Sequence, residues 1–397
     1  MANSNLSKAK SVKNDEFYTQ YNDIQKEVNA YLDFNPDTFR GKKMLLPCDD
    51  PEWSKFTRFF AENFELLGLK KLISTSYAVA SKKVKAFYQP TLFETESPQF
   101  DQSKTEVRGK IFVLDHDTNA NGRIDLDDLE WRYLEGDGDF RSSEVCKLRD
   151  EADIIVTNPP FSLFREFLAW IMEAKKQFLI LGNKNAVSYT EVFPLIKSNQ
   201  MWSGVTEWAG GMWFETKDPA DVDKVVDGIN MKNVASVWFT NLDHGRRHRP
   251  LELMTEADNV KYSRHKEIRG MGYFRFENYP AIEVPYTDAI PADYEGIMAV
   301  PRSFLDKYCP EQFEIVGIAE GESGKELGLK AVPKELKKLN KSLRDGQLYY
   351  MKDGYPEKPF ARILIRARKS KGKMSHAESA ENAEVIRESC LKKGTQQ

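Results

Sequence analysis

Asn158, Pro159, Pro160 and Phe161 stand together between an apolar run, DIIVT, and an amphipathic one, SLFREFLAWIMEA. An amide carbonyl, a stiff main-chain carbonyl and a flat apolar ring side by side are suited to holding a planar amine. An exocyclic amine on a nucleobase is a poor nucleophile because its lone pair is delocalised into the ring. Two acceptors aimed at its hydrogens draw the nitrogen toward a tetrahedral shape and free that pair. Asn158 offers a side-chain carbonyl, and Pro159 a main-chain carbonyl that its ring helps to hold. Phe161 offers a face on which a base taken out of its stack can lie. Attack on a sulfonium methyl needs no general base beforehand, since the amine becomes acidic as the new bond forms; catalysis is mainly alignment of amine, methyl and sulfur. Asn and Pro are also ordinary turn residues. The functional reading is preferred on placement, because the corner falls between a strand and a helix.

That corner has to be carried by regular elements. From Lys43 the chain alternates between short apolar runs and helical periodicities. KMLLPC reads as a buried strand. DDPEWSKFTRFFAENFELLG reads as the helix behind it, with Asp50 as N-cap, Pro51 at the first helical position and Gly68 as the stop. Within it Trp53, Phe56, Phe60, Phe64 and Leu67 recur at helical spacing. KKLISTSY, DIIVT, QFLILG and SVWFTNL are further strands; SLFREFLAWIMEA and SYTEVFPLIKSN are further helices. The pattern predicts an α/β, Rossmann-like, doubly wound and mostly parallel sheet with helices on both faces. Ligands of such sheets lie beyond the carboxyl ends of the strands.

Residues 1–14 are small, polar and lysine-bearing and read as a flexible basic arm. Residues 15–240 carry the strand-and-helix alternation, with an insertion or hairpin at 101–140. Residues 241–372 are richer in Pro, Tyr and Gly and read as a smaller C-terminal domain, followed by a polar tail at 373–397. A chain of 397 residues is long enough for two cores. The formal net charge of -3 excludes a global basic field, so a polyanion would have to be met by local patches. Candidates are Lys8, Lys10 and Lys13 in the arm, Arg246, Arg247 and Arg249 in HGRRHRP, and the late run ARILIRARKSKGKM. Four separated cysteines form no CxxC pair, which argues against zinc and disulfides and for a reducing cytoplasm. His244 and His248 lack a third ligand. No run approaches the roughly 20 apolar residues of a membrane span, and the first residues lack a signal-peptide core.

DTNANGRIDLDD raises a calcium question. Asp117, Asn119, Asn121, Asp125 and Asp128 place side-chain oxygens at calcium-loop positions around Gly122. KIFVLDHD before it alternates like a strand, so the entering helix of an EF-hand is missing, and Asn-Gly favours a hairpin. A hairpin insertion without metal is the default reading.

Several blocks, in order, resemble those of the EcoRI-type adenine-specific DNA methyltransferases: EFYTQ, CDDP, GDGDFRS, DIIVTNPPFSLFREF, FLILGNKNAVSY, VFPLIK and EVPYTDAIPADYEGIMAVPRSFLDKY. Together they cover most of the chain. NPPF alone is shared with RNA guanine and protein glutamine methyltransferases; CDDP, GDGDFRS and the late block are more specific. The resemblance implies the S-adenosylmethionine-dependent methyltransferase fold with a C-terminal DNA-recognition domain. It implies methyl transfer from S-adenosylmethionine to the exocyclic amine of an adenine flipped out of a specific duplex DNA site. The setting it implies is a monomer in a bacterial or phage cytoplasm, near the nucleoid, with or without a cognate restriction endonuclease sharing the site.

The same resemblance assigns cofactor contacts to Phe17, Tyr18 and Thr19 in EFYTQ, to Cys48, Asp49, Asp50 and Pro51 in CDDP, to Asp139 and Phe140 in GDGDF, and to Asn158. CDDP stands where such enzymes usually carry a glycine-rich turn. A helix opened by Asp50 and Pro51 could face the cofactor with its amides, and Asp49 could accept from the methionine ammonium or the ribose. The end of the second strand, ISTSYA, carries no carboxylate for the ribose, so that ligand is left open. Two alternatives stay open as well: an RNA guanine amino-methyltransferase, and a catalytically silent DNA-binding protein, suggested by the missing glycine loop.

Overall fold

The computed structural model describes residues 18–49, 54–78, 95, 97–216, 219 and 221–368. Lys8, Lys10, Lys13, Phe17, Asp50, Pro51 and the tail at 373–397 lie outside them. Strand β1 (Tyr18–Thr19) and helix α1 (Tyr21–Phe34) precede β2 (Lys43–Leu46). Ser54 accepts the Phe56 N–H at 3.1 Å and caps α2 (Lys55–Glu62), which is followed by α3 (Phe64–Leu67) and stopped by Gly68 in the left-handed region. The cap is therefore Ser54 rather than Asp50: the serine oxygen sits two residues before the first buried phenylalanine and takes its open amide. The chain continues through β3 (Lys71–Ser76), α4 (Gln102–Val107), β4 (Lys110–Leu114), β5 (Glu130–Tyr133) and α5 (Ser143–Glu151). Next come β6 (Ile154–Thr157), α6 (Phe164–Glu173), β7 (Gln177–Asn183), α7 (Phe193–Lys197) and β8 (Trp202–Ser203). Strands β9 (Met212–Glu215), β10 (Lys224–Val226), β11 (Ile229–Val234) and β12 (Ser236–Thr240) complete this half.

Eight strands form the central sheet in the order β5-β4-β3-β2-β6-β7-β12-β8. The middle strands β3, β2, β6 and β7 are parallel, as apolar runs joined by helices predict. Both wings are antiparallel, β4 and β5 on one side and β12 and β8 on the other, so the parallel character is confined to the centre. Along the middle strands successive side chains face opposite ways. Leu45, Ile155 and Ile180 pack with Phe164, Phe167 and Ile171 of α6; Met44, Leu46, Val156 and Leu179 pack with Val28 of α1 and Phe56 and Phe60 of α2. The order of strands reverses between β2 and β6, which is the switch point where sheets of this kind hold ligands.

The C-terminal half contains α8 (Glu256–Tyr262), β13 (Ala281–Glu283), β14 (Ile297–Pro301), β15 (Phe313–Ala319), α9 (Gly321–Glu326) and α10 (Lys334–Leu339). A hairpin of β16 (Tyr350–Lys352) and β17 (Tyr355–Glu357) leads to β18 (Arg362–Ala367). Its main sheet runs β13-β14-β18-β15. One face, with Ile282, Met298, Val300, Ile363 and Ile365, joins the same apolar cluster as α6 and β7. The other face, with Ala299 and Leu364, forms a separate cluster with Leu329 and Leu348. The two halves thus share a core. Among the described residues no helix is long and apolar enough to cross a membrane.

Candidate active site

Asp49, three residues beyond the end of β2, organises the switch point. It is buried, with 5% of its surface exposed. Its Oδ2 accepts the Thr157 hydroxyl at 2.6 Å, and its Oδ1 accepts the Ser54 hydroxyl at 2.7 Å. Ser74 of β3 donates to the Asp49 main-chain carbonyl and is itself hydrogen-bonded to Thr57 of α2 at 2.9 Å. A buried carboxylate needs donors to offset its lost hydration, and here the hydroxyls come from the end of β6 and the cap of α2.

Thr157 directly precedes the NPPF corner. Asn158 and Phe161 are half-buried and Pro159 is buried. Phe161 packs partly against the cluster that holds α1 and α2. The Pro160 carbonyl accepts the Leu163 N–H at 2.9 Å, closing a short turn over Phe161–Leu163 that feeds α6. The corner is therefore fixed to Asp49 on one side and to α6 on the other.

The GDGDF loop docks on the end of β3. Gly138 has φ +88°, and a Cβ there would lie 2.2 Å from the Ser76 carbonyl oxygen, so the approach is open to glycine alone. Ala78 N–H bonds the Asp137 carbonyl at 2.8 Å. Asp139 accepts the Arg141 main-chain N–H at 2.8 Å, its Nε at 2.9 Å and its Nη2 at 2.7 Å. The Arg141 hydrogen bonds hold the Asp139 carboxyl below its ordinary range, against partial burial, so it is an anion at neutral pH. Phe140 departs from expectation. Its ring is fully buried, edge-on to Phe167 at 5.1 Å and to Trp170 at 5.6 Å, and serves the core beneath α6. An aromatic next to two acidic residues resembles a stacking face in sequence, but the strength of the apolar cluster below decides its direction.

Two further side chains stand close to these carboxylates. Burial, then the Asp49 and Asp139 carboxylates, push the Cys48 thiol well above its ordinary value, so it is a neutral wall rather than a nucleophile. Tyr77, the first residue after β3, is raised by burial and by Cys48 and Asp139. Its hydroxyl is buried and has no partner of good hydrogen-bond geometry among the described residues. It lies at the end of the second strand, the place where the sequence offers no carboxylate for a ribose.

Of EFYTQ, Tyr18 and Thr19 form an edge strand that pairs with Glu215 and Phe214 of β9. Thr19 is buried, and its hydroxyl also lacks a partner among the described residues. Lys55, which opens α2, donates to Gln20 Oε1 at 3.2 Å and Glu215 Oε2 at 3.1 Å, drawing this block to the cap that bonds Asp49. The Asp49 and Asp139 carboxylates, with the Tyr77 hydroxyl close to Asp139, make a donor and acceptor set that fits S-adenosylmethionine, which carries an ammonium, ribose hydroxyls and an adenine amine.

The basic loop after β12 is built differently from the expected phosphate patch. Arg246 donates to the Val205 carbonyl and pairs with Asp306 at 3.0 Å. Arg247 is buried, stacked over Trp202 at 3.6 Å and bonded to Asn199. Both are drawn inward by partners remote in sequence, and only Arg249 of the three remains exposed. His244 is buried with Nε2 on the Ser203 carbonyl at 2.9 Å, while His248 bonds Asp243 at 2.8 Å and Glu311 at 2.9 Å.

In the loop between β4 and β5, the oxygens of the calcium-like pattern turn the chain on itself. Asp128 Oδ1 accepts Thr118 N–H at 2.8 Å, and Asp117 accepts Gly122 N–H at 2.8 Å. Among the described residues no group of three or more His, Cys, Asp or Glu is placed to hold a metal.

Comparison with known proteins gives a family model described as adenine-specific methyltransferase EcoRI, matching residues 5–368. The type II methyltransferase M.EcoRI of Escherichia coli is 38% identical over 331 residues, 82% of this chain and 92% of that protein. The type II methyltransferase M.MpnI of Mycoplasma pneumoniae is 35% identical over 318 residues, 78% of this chain and 84% of that protein. No solved structure matches.

Proposed function

We infer the reaction from one premise: the chain belongs to the EcoRI family of adenine-specific methyltransferases. It is a DNA methyltransferase that modifies the exocyclic amine of adenine in duplex DNA, in the manner of the type II modification enzymes. The guanine-modifying and silent-binder alternatives have no support from that premise. S-adenosylmethionine, when bound, supplies an electrophilic methyl group on a positively charged sulfur.

This chain's residues then divide the work. Asp49 accepts from the methionine ammonium, the Asp139 carboxylate from the adenine amine, and Tyr77 bonds the ribose in place of the usual acid. Thr19 covers the pocket from β1, and Phe140 supports it from beneath. The Asn158 side-chain carbonyl and the Pro159 main-chain carbonyl take the two hydrogens of the target amine, while Phe161 gives its ring a face to lie on. The proton leaves after alkylation, so no residue acts as base beforehand.

The observation that carries this reading is the 2.6 Å hydrogen bond from Thr157 to Asp49, which ties the carboxylate after β2 to the residue preceding Asn158. Asn158→Ala should slow methyl transfer to unmethylated DNA by about a hundredfold or more, the scale of a lost alignment. Its affinity for S-adenosylmethionine, read by calorimetry, should stay near the parent value. Normal turnover in that variant would sink the role of Asn158. Residues 241–372 are taken as the DNA-recognition part, and the enzyme as a cytoplasmic, nucleoid-associated monomer needing no direct contact with a cognate endonuclease.

A further inference from the structure

Two sequence blocks have no part in the chemistry above: GNKNAVSY after β7, and the late EVPYTDAIPADYEGIMAVPRSFLDKY. They meet in space. A cleft of about 500 Å³ is lined by Lys184 and Asn185 from the first block and by Arg302, Ser303 and Lys307 from the second, with Trp208 in its wall. Neither Lys184 nor Lys307 has an ion-pair partner among the described residues. Arg302 donates to the Ser188 hydroxyl at 2.7 Å, a neutral partner that leaves its charge unneutralised. The carboxylate in the wall, Asp306, is already bound by Arg246 at 3.0 Å. The Trp208 indole N–H has no acceptor among the described residues. Three cations against one carboxylate make the cleft cationic.

Its position follows from the sheet. Strands β6 and β7 are parallel neighbours, with Thr157 opposite Ile180. Adjacent strands lie about 4.8 Å apart, so β7 passes the NPPF corner at Ile180 and runs on through Asn183, leaving the sheet at Lys184 at the same end as the corner. Asp49 and the cofactor residues lie on the other side of that corner, toward β2.

We propose that this cleft grips the sugar-phosphate backbone of the DNA strand that carries the target adenine, through Lys184, Arg302 and Lys307. The proposal rests on the reading that duplex DNA is the substrate. Extruding a base leaves its flanking phosphates to be held in place, and such contacts position the strand without reading sequence. Each neutralised phosphate adds nearly one to the slope of log affinity against log salt.

The test is filter binding of labelled, unmethylated linear plasmid DNA across a salt series, with methyl transfer to the same DNA measured in parallel. The double substitution Lys184→Gln and Lys307→Gln should weaken binding and flatten the salt slope by about two. Melting temperature and S-adenosylmethionine affinity should hold, features a merely structural role would move. Lys175→Gln, on an exposed residue at the opposite end of β7, should leave the slope unchanged. An unchanged slope in the double variant, with a parent protein that methylates the DNA, overturns the cleft assignment alone. A parent protein that does not methylate duplex DNA overturns the functional reading and this proposal with it.

Discussion

Gly138 lets the loop that carries Asp139 lie against the end of β3. Gly138→Ala places a methyl group 2.2 Å from the Ser76 oxygen in a left-handed conformation. It should destabilise the protein by about 1–3 kcal/mol, the range of strained backbone sites, and weaken S-adenosylmethionine binding more than DNA binding. Urea unfolding and calorimetry measure the two effects. His244 gives a pH signature. Burial lowers it from 6.5 to about 4, so the folded protein keeps it neutral while the unfolded chain takes up a proton as pH falls through 6.5. Its contribution is complete above that pH and is lost on the way down to about 4, at up to about 1.4 kcal/mol per pH unit. Replacing His244 by Gln should flatten that part of the stability profile between pH 7 and 5. At this scale NPPF and the Asp49 of CDDP stand out in the sequence, and the structure brings them together through the Thr157–Asp49 hydrogen bond. Phe140 and Arg247 misled because their direction is set by Trp170 and Trp202, partners the local sequence does not reveal.

Among the elements, α1 is held by a charge rather than by apolar contact alone. Glu27 on α1 is buried and accepts the main-chain N–H groups of Val205 at 2.8 Å and Thr206 at 2.9 Å, and the Thr206 hydroxyl at 2.7 Å. Burial raises its pKa, and these donors work against that. Glu27→Gln turns an amide N–H toward a row of donors and should lower stability by about 2 kcal/mol in urea unfolding, as lost bonds to a charged acceptor do. The strands β2, β3, β6, β7 and β12 could be read from sequence because strands buried on both faces are continuous apolar runs. Their order could not, since nothing local in SVWFTNL says that β12 lies antiparallel against β7. The start of α2 shifted for a similar reason: Asp50 and Ser54 are both good caps by type, and the observed cap is the one whose hydroxyl also reaches Asp49.

For the molecule as a whole, the sheet that follows the change of texture near Asn241 packs into the same core as α6 and β7. Arg246 joins the loop after β12 to Asp306, whose other oxygen is buried without a side-chain partner among the described residues. Arg246→Ala strands that carboxylate and should remove about 3 kcal/mol, the lower end for breaking a buried pair. Because its charge is used internally, the same variant should leave the salt slope of DNA binding intact; a flattened slope would return Arg246 to the phosphate contacts. The Thr157–Asp49 hydrogen bond has a consequence that reaches both substrates. On the function proposed above, a methyl donor at Asp49 shares an acceptor with the residue that carries the NPPF corner, so occupancy on the β2 side is felt on the β6 side. Linkage makes such coupling reciprocal: whatever factor the methyl donor adds to duplex affinity, the duplex must return to the methyl donor. Thr157→Val should bring that factor toward one, leaving two independent binding events where the parent enzyme has a thermodynamic cycle.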